Sequence, residues 1–267
     1  MVEFGTGAMG SDLVLAFLLG YENIITCDIN DHLNFENFCK ITQKAAERVG
    51  DIAKQFDLPS AEVEARLALL RAVADKEDLY QREIITFRPF SHLLATPLSN
   101  IDLWYSESSL QRVPLSKFEK YATHVAQNLS PNAIVFHKVD IADICTQPHY
   151  PFYISSAHRF DFLKYSAWLW KFMNNDVYSS QNRLRIPQYI KVFNELGLNL
   201  KRARFVRYAG DEEYLGGMHL AEPFARHSLH ELSVAHAKLL LTPAKINDPH
   251  IEDFEVAEGG DFIHLDW

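Results

Sequence analysis

Cysteine is scarce in this chain of 267 residues: Cys27, Cys39 and Cys145, with no Cys-x-x-Cys spacing. That leaves no basis for a disulfide framework or a cysteine-rich zinc site, and the thiols read as reduced ones in a cytoplasmic protein. A basic block is also missing. Lys and Arg number 26 against 35 acidic residues, a net charge of -9, so capture of bulk nucleic acid by charge is disfavoured. No apolar run approaches the roughly 20 residues of a membrane span, so no membrane partner is expected. The first residues are acidic and glycine-rich, unlike a signal peptide. The twelve histidines are scattered, and His227 with His230 at i, i+3 is too common a spacing to mark a metal site. No internal repeat, low-complexity tract or readable Ser-His-Asp order is present. What is abundant is apolar residues, 48% of the chain. They suffice for the core of one large α/β domain, or of a domain with an insertion.

The most informative stretch is Glu3-Phe4-Gly5-Thr6-Gly7-Ala8-Met9-Gly10. A short apolar strand, Met1 to Phe4, runs into a glycine-rich turn and then an apolar helix from about Ser11 to Leu19. A second strand, Asn23 to Cys27, delivers Asp28 at its tip. This is half of a nucleotide-binding βαβ unit: Gly5 and Gly7 allow a tight turn and close backbone approach, and Asp28 is placed for ribose hydroxyls. The turn suits either a dinucleotide or S-adenosylmethionine. Glu3, two positions before the first glycine, favours a ligand with an ammonium group over one with a pyrophosphate. The alternative is that Glu3 is only the solvated start of a strand.

A long segment without strand character, about residues 32–83, reads as two helices, the second with Val63, Leu67 and Leu70 on one face after Pro59 and Ser60. It is either an ordinary crossover helix with padding or an inserted lid or dimer surface, which leaves room for a homodimer. Ile84–Phe87, Ile101–Ser106 and Ala133–Val139 read as the next strands. Ser116 and Glu119 are spaced as a capping box, and Leu129-Ser130-Pro131-Asn132 reads as a turn. About residues 140–185 are rich in aromatics, the composition of a covering layer. Pro187 opens a helix that Gly197 stops, and Leu198–Val206 and Ala235–Leu241 read as final strands before a tail of residues 244–267.

In this order the blocks resemble the class I S-adenosylmethionine-dependent methyltransferases, from Val2 to about Pro243. Glu3-Phe4-Gly5-Thr6-Gly7 is similar to the first family motif. Thr26-Cys27-Asp28-Ile29 resembles the acidic end of strand two, and Ile101 to Val113 the fourth-strand block. Leu129-Ser130-Pro131-Asn132 stands where the family usually has Leu-x-Pro-Gly-Gly; here Asn132 and Ala133 replace the glycines. Val139-Asp140-Ile141-Ala142-Asp143 and Asn182-Arg183-Leu184-Arg185 resemble blocks of a bacterial small-molecule subgroup, with Ile144 where a His is frequent. Ser91 stands where an acidic residue often borders the adenine.

The resemblance implies an α/β fold: a doubly wound, mostly parallel seven-stranded sheet with the last strand antiparallel, a Rossmann-like methyltransferase domain over residues 1–243. Such a domain usually carries a helix or more before its first strand, so either residues precede Met1 or a substrate-covering element is absent. The implied cofactor is S-adenosyl-L-methionine, and the activity is methyl transfer to an O or N atom of a small or medium-sized acceptor. Gly5 and Gly7 would pass under its methionine part, Glu3 orient its ammonium, and Asp28 hold its ribose. Phe90 and Ser91 would edge the adenine, and Ser106 and Glu107 border the reacting methyl. His137 and Asp140, at the end of strand five, are the expected catalytic base. His149, His158, Asn182 and Arg183 are expected to meet the acceptor; the alternative for Arg183 and Arg185 is that they brace the sheet through carboxylate pairs. Two rival classes stand beside this: a nicotinamide-dependent oxidoreductase, and a non-catalytic binding module on the same fold.

Overall fold

Val2–Phe4 (β1) has no exposed position, the pattern of a parallel strand covered on both faces. Ser11–Leu18 (α1) and Ile24–Asp28 (β2) follow it. The computed structural model describes residues 1–146, 154–173 and 181–257. The chain divides into two compact units, Met1–Tyr105 and Ser106–Trp267.

In the first unit the segment expected to hold two helices holds four: Phe35–Glu47 (α2), Val49–Gln55 (α3), Ser60–Arg71 (α4) and Lys76–Gln81 (α5). Asn34 caps α2, accepting from the Asn37 N–H, and Asp75 caps α5 in the same way through Asp78. Their apolar faces share one core with α1: Leu13, Val14 and Leu18 meet Phe38, Val63 and Leu67. Burying each such side chain stabilises by roughly 1.5–3 kcal/mol. These helices form a layer of the unit packed on α1. Ile85–Pro89 (β3), Phe90–Leu93 (α6) and Ile101–Glu107 (β4) complete it. The strand order here is β3-β2-β1-β4, with β2 parallel to both β1 and β3.

The end of β4 belongs to the second unit, where the order continues β4-β5-β7-β6-β8. Leu115–Ala126 (α7) begins one residue before Ser116, after Pro114, and has no side-chain cap. The expected capping box is therefore not used. Leu129–Asp140 (β5) takes in the Pro131 segment expected to turn. β7 pairs with β5 only from Val135 onward, so the missing Pro131 N–H costs no bond to that neighbour. Beyond the short helix Ala167–Met173 (α8), Ile186–Glu195 (α9) starts at the proline as read, and Asn199–Tyr208 (β6) follows. Asp211–Gly216 (α10) and Leu229–Leu232 (α11) lead to His236–Thr242 (β7), which lies between β5 and β6, antiparallel to both. This is the reversed strand the sequence implied. The correction is in the count. His250–Val256 (β8), read as tail, is an eighth strand, parallel to β6.

Candidate functional site

Two groups of predicted residues emerge, one in each unit. In the first, β1, β2 and β3 end level with one another: Phe4 is the register partner of Cys27, and Asp28 of Pro89. Their carboxyl ends therefore present the glycine loop, Asp28, and the Phe90-Ser91 start of α6 side by side. Ligands of open α/β sheets collect at this edge. Gly5 and Gly7 have φ of 91° and 57°, values that cost a residue with a Cβ. The Gly5 N–H donates to the Cys27 carbonyl at 2.7 Å, which fastens the loop to β2. Above Gly7 the space is open, with no atom within 4 Å of where a Cβ would stand. The far side of the loop is tied down by the Asn34 N–H, which donates to the Ala8 carbonyl at 3.2 Å.

Charge at this loop is acidic. Asp28 accepts from the Ile29 N–H at 2.7 Å and the Gly7 N–H at 3.4 Å. Burial pushes its carboxyl up, against those backbone donors. Glu3 is only 2% exposed. Thr26 donates to it at 2.5 Å, and with that proton committed Thr6 must donate to Thr26, 2.6 Å away. Glu3 is thus not a solvated strand start. Nor is it presented at the surface for direct contact with an ammonium; it anchors the loop from beneath through Thr26 and Thr6. Phe90 packs edge-on against Phe4 with ring centroids 5.2 Å apart, while Ser91 is exposed.

The second unit corrects several expectations. Ser106, read as a tip residue, is fully buried, and its hydroxyl meets His137 Nδ1 at 2.8 Å. His137 is fully buried too and stacks on Phe193 at 5.1 Å. Burial drives its pKa down to about 3. An interior imidazole with no face to solvent is a packing residue and does not serve as the base. Glu107 is engaged by Lys138 at 2.5 Å. The Asn182 side chain is engaged internally: it donates to the Leu110 and Val113 carbonyls and accepts from the Leu184 N–H and Tyr189 hydroxyl, all within 3.0 Å. Arg183 caps the Phe162 and Tyr165 carbonyls under Trp170 and Phe224. Arg185 does brace the sheet, through carbonyls rather than carboxylates. It donates to Ile141, Leu232 and Val234 at 2.7–2.8 Å. His149 lies outside the described residues.

Asp140 and His158 lie in one connected cluster. Asp140 ends β5 and is the register partner of His236, which opens β7. His236 Nδ1 stands 3.4 Å from Asp140 Oδ1, and Tyr208 Oη stands 3.4 Å from His236 Nε2. The Arg159 guanidinium lies 4.0 Å over the Tyr208 ring and 3.6 Å from Asp211, which His158 approaches to 3.3 Å. His158 also stacks on Tyr214 at 3.6 Å, so its ring is enclosed by the chain's own groups. His236 and Tyr208 are the residues sequence reading missed. The only available signal was topological: an antiparallel last strand brings its first residue to the end of β5. The aromatic segment is part core and part surface. Phe160 and Phe162 are fully buried, whereas Trp168 and Phe172 are 77% and 74% exposed.

Among the described residues no helix is long and apolar enough to cross a membrane, and no cluster of His, Cys, Asp and Glu could hold a metal ion.

No family model and no curated protein matches the chain. Solved structures do. LepI in complex with SAM is 11% identical, with a TM-score of 0.38, covering 90% of this chain and 42% of that one. The mitomycin 7-O-methyltransferase MmcR is 10% identical, with a TM-score of 0.40 and 91% and 48% covered. An S-adenosylmethionine-dependent methyltransferase from Mesorhizobium loti is 14% identical, with a TM-score of 0.44 and 90% and 89% covered. The chain thus spans 42% of the length of the first solved structures it matches.

Proposed function

We propose that this chain binds S-adenosylmethionine and transfers its methyl group to an O or N atom of a small or medium-sized acceptor. One observation carries the reading. The loop N–H of Gly7, which a pyrophosphate would need, is turned onto the Asp28 carboxylate. Dinucleotide-binding turns offer such groups to phosphate oxygens. Here an acidic side chain takes that place, with the buried Glu3 beneath it. An anion is repelled by this loop, and a ligand with a positive ammonium and neutral ribose hydroxyls is attracted. This disfavours the nicotinamide alternative.

When bound, S-adenosylmethionine supplies a methyl carbon already activated by its sulfonium. The chain's part is to bind and align. Asp28 accepts from the ribose hydroxyls and exchanges its loop donors for them. The open space over Gly7 admits the ligand backbone without a side chain in the way. Phe90 and Ser91, next to Asp28 across the register, edge the adenine. Glu3 holds the loop from beneath through Thr26 and Thr6.

Calorimetry with S-adenosylhomocysteine, with NAD as control, tests this. Micromolar-range binding of the first and none of the second is expected. Hydrogen bonds to a charged group contribute about 1.5–3 kcal/mol each, so Asp28→Ala weakens binding by roughly a hundredfold or more. Preferential NAD binding would reverse the assignment.

A further inference from the structure

We propose that the groove between α9 and the edge strand β8 is the docking site of this chain's own residues 263–267, added to β8 as a further, antiparallel strand. Groove, edge and occupant all belong to the second unit.

The alternation of β6 and β8 builds the groove. β8 runs parallel to β6, with Asp253 the register partner of Phe205. Phe205, Ile251 and Asp253 therefore share one face of the sheet. Ile186, Pro187 and Ile190 of α9 stand across from them, and Val234 closes one side. The space between is about 730 Å³ with mostly apolar walls, within the range of sites that take a ligand. Ile251 is 52% exposed beside these walls. A strand isoleucine in that position still has apolar surface to bury.

The edge of β8 offers backbone as well. Among the described residues no strand lies beyond it. The Val256 carbonyl accepts from the Ala209 N–H, on the β6 side. Successive residues of a strand turn their polar groups to opposite edges, so those of Ile251, Asp253 and Glu255 face away from β6. A second copy is a poor occupant. β8 carries Glu252, Asp253 and Glu255, and pairing it with another β8 sets like charges against each other.

The sequence after β8 fits this edge. Residues 258–267, Glu-Gly-Gly-Asp-Phe-Ile-His-Leu-Asp-Trp, lie outside the described residues. Gly259 and Gly260 suit the reversal of a hairpin. Ile263, Leu265 and Trp267 then alternate with other residues, the period of a strand with one covered face. That apolar face selects the register. A loop of residues 258–262, of a length hairpins use, sets Ile263 opposite Ala257, Leu265 opposite Glu255 and Trp267 opposite Asp253. These pairs meet the outward polar groups of β8 and stand on the face of the groove. Asp266 falls opposite Phe254, over which Arg204 lies at 5.1 Å, so unlike charges are neighbours. Linkage favours this occupant over any free peptide, because a short flexible linker holds a segment at roughly millimolar effective concentration.

Hydrogen exchange read by NMR compares the full chain with one ending at Ala257. The amides of Ile251, Asp253 and Glu255 should exchange about tenfold faster or more in the shortened chain, while those of Glu252, Phe254 and β7 stay within about twofold. Equal exchange at the three outward amides overturns the proposal. A crosslink tests it in the full chain, whatever truncation does to the fold. Facing residues of a hydrogen-bonded antiparallel pair stand about 5.5 Å apart at Cα, a span that a disulfide fits. In a Cys39→Ser background, Glu255→Cys with Leu265→Cys should close within one chain on mild oxidation, several-fold faster than Glu255→Cys with His264→Cys. Adding Ile190→Glu, which charges the groove wall, should slow that closure several-fold. No crosslink, crosslinks between two chains, equal rates for the two pairs, or indifference to Ile190→Glu each overturn the proposal.

Discussion

Two buried cations and one buried imidazole illustrate how single residues stabilise this chain. Arg185 is wholly enclosed, and burial lowers its pKa to about 10, still far above neutrality. Its charge serves the three carbonyls of Ile141, Leu232 and Val234. Arg185→Leu removes that donor, and buried acceptors left unmade cost about 1–3 kcal/mol each. Denaturant unfolding should therefore show a loss of several kcal/mol; a loss under about 1 kcal/mol would mean the carbonyls find water. Arg183 spends its charge in the same way on Phe162 and Tyr165. His137 acts in the opposite sense. Its folded pKa of about 3 lies below the ordinary 6.5. Between those values the unfolded chain binds a proton that the folded chain refuses, so stability falls as pH falls through that window. Every pH unit crossed within it removes about 1.4 kcal/mol, a few kcal/mol by the acid end. His137→Asn, which keeps a partner for Ser106, should flatten the fall of the thermal midpoint between about pH 6.5 and 3. Parallel curves for the two proteins would refute this account.

Elements differ in how plainly they can be read. The β1–loop–α1–β2 unit is legible because glycines at positive φ and an acid at a strand tip leave residue-level marks. β7 is legible because its alternating burial follows a clean apolar run. β8 is not, and its composition explains why. Its sequence, HIEDFEV, buries no side chain fully. It is held by its ladder to β6 and by charge: Glu252 with Arg202 and Arg204, Asp253 with Arg207. Hydrophobic periodicity, the main signal for a strand, is absent from an element stabilised this way. The arginines of β6 push Glu252 down to about 2. Glu252→Gln should speed hydrogen exchange across residues 250–256 several-fold and leave β7 protected. High salt should act on wild type in the same direction but more weakly, since partly buried pairs are screened less than exposed ones. Equal protection in variant and wild type would assign β8 to its backbone bonds alone. The site residues mislead for a related reason. Ser106, His137 and Asn182 stand out in the sequence by type and position, but a polar residue in a core must be satisfied, and here the partners are internal.

At the scale of the whole molecule, ligand binding and folding share one free energy. A ligand that binds only the folded chain stabilises it by RT ln(1 + [L]/Kd), about 2.7 kcal/mol at a hundredfold excess over Kd. For a chain of this size each kcal/mol moves the thermal midpoint by about 2–4 °C. Saturating S-adenosylhomocysteine should therefore raise it by roughly 5–10 °C. Asp28→Ala should lose most of that rise while its ligand-free midpoint stays near wild type, because Asp28 is only half-buried. NAD should give no rise, since its pyrophosphate meets the Asp28 carboxylate, which takes the Gly7 N–H. Acidification adds a second axis. Burial raises the Asp28 carboxyl, so the ligand-induced rise should shrink as pH falls toward that raised value, before an ordinary aspartate would protonate. In Asp28→Asn that pH dependence should vanish. A rise that is constant with pH in wild type, or identical with and without the Asp28 carboxylate, would place the ligand's ribose elsewhere and break the link between this loop and its cofactor.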